Sequence, residues 1–230
     1  MKIISNVKMI RRNARIGQIS SLVALVVLGA GMYITFKLPN LSILAVPALV
    51  IGFLLSQIGI SFGNRWGRQP RPDQVLDQGL KGLPGDYNLY HYVTPASHLL
   101  IGPAGVWILM TQHQRGTITF DGKRWRQKSG GFLQGYMRLF GQEGIGRPDL
   151  ETGAEIESLQ RFLKKKISDR ELPPIRSVLV FTDPRVEIRT SDTPIPALPI
   201  IKLKEFIRKQ AKEKPISGTM IVALKGVFPE

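Results

Sequence analysis

The chain has 230 residues, with 32 Lys or Arg against 17 Asp or Glu, a formal charge of +15 and no cysteine. The missing cysteines exclude a disulfide framework, a thiolate metal site and a cysteine nucleophile. The length accommodates one ordinary domain and a small extra module, and the basic excess suits anionic lipid, nucleic acid or control of membrane topology.

The charge is uneven along the chain. Residues 1–69 hold eight Lys or Arg and no Asp or Glu. Within them, residues 17–36 (GQISSLVALVVLGAGMYITF) and 41–62 (LSILAVPALVIGFLLSQIGISF) carry no charge. At about 1.5 Å per residue, each reaches across a hydrocarbon core of roughly 30 Å. The short connector, residues 37–40, predicts an antiparallel hairpin. Lys2, Lys8, Arg11, Arg12 and Arg15 precede the first span, Arg65, Arg68 and Arg71 follow the second, and the loop has only Lys37. The positive-inside rule then places both termini in the cytoplasm, in a cell-membrane protein with two spans. Gly29, Gly31 and Gly52 are expected to allow close helix contact. Neither span has an ionisable residue, which leaves a transport pathway or proton relay without support. A cleaved signal peptide is the competing reading of the first span, but the second would still anchor the chain. The expected organisation is a basic cytoplasmic N-terminus (1–16), a transmembrane hairpin (17–62), a juxtamembrane linker (63–72) and a cytoplasmic domain (73–230).

The domain opens with helical spacing over residues 73–83 and a Pro-Gly-Asp turn at 84–86. Strand-like runs follow at 87–93, 98–101 and 106–112, the last being the most apolar. A hairpin through Asp121-Gly122 joins 116–120 to 124–127. Residues 130–146 are rich in glycine and aromatic residues and read as an insertion that folds back on the core or touches lipid. A helix is predicted over 150–167, with Lys164, Lys165 and Lys166 at its C-terminal end. Residues 175–181 read as a buried strand, 186–188 as a short extended piece, 203–212 as a small helix and 220–224 as an apolar segment. A hairpin sheet followed by helix and strand predicts an α/β or α+β domain with a mixed sheet flanked by helices.

The informative stretch is residues 97–116, SHLLIGPAGVWILMTQHQRG. It resembles the core of the nuclease-related domain (NERD) family, of the restriction-endonuclease-like PD-(D/E)XK fold. That family's pattern is Asp-His, an apolar strand, Gly-Pro-x-Gly-Val, an aromatic-apolar strand, then Glu-x-Lys and a glycine. His98, Gly102, Pro103, Gly105, Val106, Trp107, Thr111 and Gly116 fall in register with it. The resemblance implies two antiparallel strands whose carboxylates hold Mg²⁺ through oxygen. The ion would polarise a phosphodiester and help generate hydroxide, with the lysine stabilising developing charge.

The chain departs from the pattern where the chemistry lies. Ser97 stands for the Asp, Met110 for the Glu and Gln112 for the Lys. The expectation is therefore a degenerate nuclease fold that is not an enzyme and takes no cofactor. Mg²⁺ enters only if relocated ligands sustain a divalent-metal-dependent nuclease, and Asp73, Asp121 and Glu151 are the carboxylates weighed for that role. The three histidines, His91, His98 and His113, are read as framework or partly exposed residues rather than as a metal site. Ser97 and His98 are strand neighbours that point to opposite faces, which excludes a serine-histidine catalytic pair. Lys123, Arg124, Arg126 and Lys128 around Trp125 form the candidate binding patch, through phosphate contacts with indole stacking or through anionic headgroups. The expected role is an interaction or scaffold module tethered to the lipid bilayer, with a protein, anionic lipid or nucleic acid as partner.

Overall fold

The computed structural model describes residues 1–128, 144–167, 172–190 and 193–229, in two compact units. Most of the insertion expected at 130–146 lies outside the described residues.

The first unit, residues 7–71 among the described ones, is a helical hairpin. Helix α1 spans Val7–Lys37, a 3-10 segment spans Pro39–Leu44, and α2 spans Ala45–Phe62. A π-helical turn over Gly63–Gly67 follows. Both helices are long and apolar enough to cross a membrane. The helix begins ten residues before the expected first span, so residues 7–16 are helical rather than a separate tail. The second α-helix begins at Ala45 because Pro39 opens a 3-10 turn first.

Their contact follows a period of seven. Ile10, Gly17, Ala24 and Gly31 are buried along α1; Ala45, Gly52, Gly59 and Trp66 are buried along α2 and the turn after it. A seven-residue repeat keeps one seam facing its partner, and small residues on it let two backbones approach closely. A Cβ built on Gly59 would lie 2.9 Å from the Ser21 backbone nitrogen, and one on Gly31 would lie 3.0 Å from the Ala48 Cβ. A Cβ on Gly17 would lie 2.9 Å from that of Phe62, and one on Gly52 would meet the Leu28 side chain at 2.6 Å. Gly31 and Gly52 therefore do what the sequence suggests. Gly29 does not, since a Cβ there meets nothing within 4 Å.

The second unit holds residues 1–6 and the described residues from 72 onward. Its central sheet has six strands: β1 (Lys2–Ser5), β2 (Asn88–His91), β3 (His98–Gly102), β4 (Gly105–Gln112), β7 (Ile175–Phe181) and β9 (Ala197–Pro199), in that spatial order. β2, β3 and β4 run antiparallel in turn; β1 is parallel to β2, and β7 is parallel to β4 and β9. A smaller sheet has the order β6 (Trp125–Lys128), β5 (Gly116–Phe120), β8 (Val186–Ile188).

Residues 2–5 are thus an edge strand of the domain, not part of a free basic tail. The chain leaves this unit after Asn6 and re-enters it at Pro72, so the helical hairpin is an insertion in the domain.

Helices cover both faces of the central sheet. On one, Leu76 and Leu80 of α3 (Pro72–Gly79) and the turn after it, with Leu203 and Ile207 of α5 (Ile200–Glu213), pack on Leu89, Leu100, Trp107 and Leu109. On the other, Leu159 and Leu163 of α4 (Pro148–Lys166), with Leu224 of α6 (Gly218–Lys225), pack on Tyr90, Leu99, Ile101 and Ile108. The near-continuous burial of β3 and β4 reflects this double cover. The mixed sheet flanked by helices is the one expected; β1 and β9 are additions to it.

The β3–β4 turn needs its glycines. Gly105 has φ of 102°, a region that only glycine enters freely. A Cβ on Gly102 would overlap the Tyr87 ring.

Replacing Gly59 by Leu should destabilise the hairpin by about 1–3 kcal/mol, the usual cost of overpacking. Gly29→Leu should leave it unchanged. Thermal unfolding of the purified full-length protein compares the two directly.

Candidate functional site

His98 opens β3, Ser97 immediately precedes it, and the two side chains face opposite sides of the sheet. Each meets a different helix.

Ser97 turns toward α4. Its hydroxyl donates to Glu155 Oε1 at 2.7 Å, and its backbone N–H donates to Oε2 at 3.3 Å. In the β3–β4 pair Leu99 lies opposite Ile108. Continuing that register by two residues brings Ser97 opposite Met110. Gln112 is two residues further along β4 and shares the face of Met110. Positions 97, 110 and 112 therefore lie together at one end of the pair, and the Glu155 carboxylate is hydrogen-bonded to Ser97 there. Met110 is half-buried and packs on the apolar cluster of Ile118, Trp125, Leu179 and Phe181 under the small sheet. Gln112 is buried, and its carbonyl accepts from the Thr182 N–H at 2.8 Å.

His98 turns toward α3. Its Nδ1 lies 2.8 Å from Nδ1 of His91, directly opposite on β2. His91 Nε2 is 3.0 Å from Asp77 Oδ1, and the Tyr92 hydroxyl is 3.3 Å from His98 Nε2. With both rings neutral the proton positions follow. Asp77 only accepts, so His91 carries its proton on Nε2 and its bare Nδ1 accepts from His98. His98 Nε2 is then bare and accepts from the Tyr92 O–H. The 2.8 Å contact excludes a proton on both Nδ1 atoms at once. Tyr92 holds a positive φ of 59°, a conformation costly for an aromatic residue. Its ring packs edge-on against His98, with centroids 4.8 Å apart. Both histidines are buried: His98 is hydrogen-bonded within the framework as expected, whereas His91, expected to be partly exposed, is fully buried between His98 and Asp77.

The carboxylates weighed from sequence fall elsewhere. Asp73 is buried on α3, on the opposite face of the sheet from Ser97. Asp121 accepts from the Lys123 and Arg124 backbone N–H groups and from Arg126 Nε at 2.6 Å. The Arg126 hydrogen bond is the main cause that lowers its carboxyl to about 2. Glu151 is exposed on α4, one turn before Glu155. Among the described residues no three His, Cys, Asp or Glu gather in a way that could hold a metal ion. Among the described residues, the groups at positions 97, 110, 112 and 155 are one hydroxyl, one thioether, one amide and one carboxylate. That set does not fit a hard dication, which takes several oxygen ligands and prefers carboxylates.

In the candidate basic patch, Lys123, Arg124, Arg126 and Lys128 are exposed. Trp125 is buried at 4% exposure, its ring 5.2 Å from that of Phe120. The indole belongs to the core beneath the small sheet, so it offers no open face for a base to stack on.

Sequence reasoning missed Glu155, Asp77 and Tyr92. For Glu155 a signal existed: it sits one turn after the Glu151 that was weighed, on the side of α4 that leads to Leu159.

Comparison with known families agrees with this geometry. Residues 73–182 match the model of the nuclease-related domain family, NERD. The matched stretch runs from α3 to just past the end of β7. No curated protein and no solved structure matched the chain.

Asp77→Ala should leave the buried His91 Nε2–H without its acceptor and cost about 1–3 kcal/mol of stability. Glu157→Ala, on the exposed side of α4, should cost nothing measurable. Chemical denaturation of the full-length protein distinguishes them.

Proposed function

We propose that this protein is a membrane-anchored nuclease-related domain that has given up phosphodiester chemistry and works as an interaction or scaffold module. The observation that carries this reading is the closure of Glu155 onto Ser97. Both oxygens of the Glu155 carboxylate accept hydrogen bonds from Ser97. Where the family pattern expects an Asp to share a cation with a Glu, a hydroxyl satisfies the carboxylate instead. The position of the second acid is the half-buried thioether of Met110, which carries no oxygen for Mg²⁺.

Anchoring is supported by the hairpin's composition and by its low burial. Only 11% and 17% of the two most apolar windows are buried inside the protein. A soluble core helix would be covered by its own chain, whereas these leave Leu22, Leu25, Val26, Phe36, Leu49 and Leu54 exposed. Both ends of the hairpin join the same domain, which supports the reading that the domain and both termini share the cytoplasmic side.

An active nuclease is the second reading, and Glu155 is what favours it, as an acid at the right end of the right strands. Full-length protein in neutral detergent, titrated with Mg²⁺ and Mn²⁺, separates the two. The proposal expects no metal-dependent rise in melting temperature and no cleavage of single- or double-stranded DNA or RNA. Metal-dependent cleavage that Glu155→Gln abolishes would overturn it. The triple variant Ser97→Asp, Met110→Glu, Gln112→Lys should behave in the opposite way. It should be less stable without metal, because Met110→Glu buries a charge, and should recover stability with Mg²⁺ through linkage.

A further inference from the structure

We infer that the N-terminal turns of α1 form a binding surface for anionic phospholipid headgroups, made by Lys8, Arg11, Arg12 and Arg15 with Arg65 and Arg68 beside them. The inference rests on the membrane reading above and deepens it by naming which residues meet which lipid chemistry.

The first observation is length. α1 has 31 residues, about 46 Å of helix, while its uncharged stretch, residues 17–36, accounts for about 30 Å. The helix therefore continues for about ten residues beyond the span, and these carry the charge.

The second is spacing. Lys8, Arg11, Arg12 and Arg15 stand at i, i+3, i+4 and i+7, which places them on one face of the helix. All four are exposed, while Ile10, Asn13 and Gly17 on the other side are buried. The orientation is fixed by the close contact of Gly17 with Phe62 and Gly63. That contact also brings the end of α2 alongside α1, and the chain runs on from it through exposed Arg65 and Arg68.

The third is the absence of compensation. Residues 1–72 contain no Asp or Glu. None of the four stripe residues has an ion-pair partner among the described residues. Like charges three and four positions apart repel. Such a stripe is stable where external anions lie against it, and lipid phosphates at the boundary of the span are such anions. The cations of α4 differ. Lys164, Lys165 and Lys166 close an exposed helix end on a helix with its own acids, Asp149 and Glu151.

The test uses full-length protein in neutral detergent, titrated with phosphatidylglycerol or phosphatidylcholine in mixed micelles. The readouts are retained lipid by native mass spectrometry and the melting temperature. Phosphatidylglycerol should bind and raise the melting temperature by several degrees, and phosphatidylcholine should not. Each stripe residue changed to Gln should weaken phosphatidylglycerol binding on the order of fivefold. Arg11→Lys, Arg12→Lys and Arg15→Lys together should keep it, and so should Lys164→Gln, Lys165→Gln and Lys166→Gln together. The double variant Arg11→Gln, Arg15→Gln should weaken binding more than either single change. Equal response to both lipids, an unchanged response in the stripe variants, or loss of binding in the α4 variant would overturn the inference. Stripe-dependent binding of an oligonucleotide that phosphatidylglycerol does not displace would overturn it too. Alkaline extraction of cell membranes checks the underlying reading separately. Release of the native protein by carbonate would defeat the anchor itself, whereas retention with no lipid preference defeats only the headgroup surface.

Discussion

The geometry of the candidate site depends on how two strands begin and end around one tight turn. Gly102 and Gly105 let β3 reverse into β4, and that reversal brings the start of one strand beside the end of the other. Whatever stands at residues 97, 110 and 112 must then share a small volume with the helix packed over it. In a site for a dication, acids crowded there repel until the metal arrives. Here the crowding is of a different kind, because Glu155 accepts two hydrogen bonds from Ser97 and Met110 adds apolar surface. Both oxygens of the Glu155 carboxylate are thus engaged by the chain itself.

The opposite face of β3 carries a second set of hydrogen bonds. The series from Tyr92 through His98 and His91 to Asp77 ties the β2–β3 connection to α3, with two buried imidazoles each hydrogen-bonded at both nitrogens. Buried polar groups with every partner in place fix one register against its alternatives. The strained backbone at Tyr92 is held by that series.

Much of this was legible in the sequence. The two uncharged stretches, the Gly-Pro turn, the apolar strands and the amphipathic helix over residues 150–167 each announce themselves within a short window. The gathering of Ser97, Met110 and Gln112 follows from strand alternation once the turn is recognised. What was hidden is what distance in the chain conceals. β1 is four residues long and precedes a long helix, so nothing local says that it pairs with Asn88 to His91, more than eighty positions away. Glu155 and Asp77 look like ordinary helix carboxylates until tertiary packing aims them. Trp125 is buried beneath the small sheet although cations flank it on both sides, which local sequence does not signal. The seven-residue repeat of small residues was present, but Gly29 distracted from Gly17 and Gly59.

The most direct measurement is a crystal structure of the full-length protein soaked in Mn²⁺ and examined at the manganese absorption edge. The account predicts no anomalous peak between β3 and β4, with the Ser97 hydroxyl still on Glu155. A manganese ion coordinated by Glu155 at that end of the strands would contradict it.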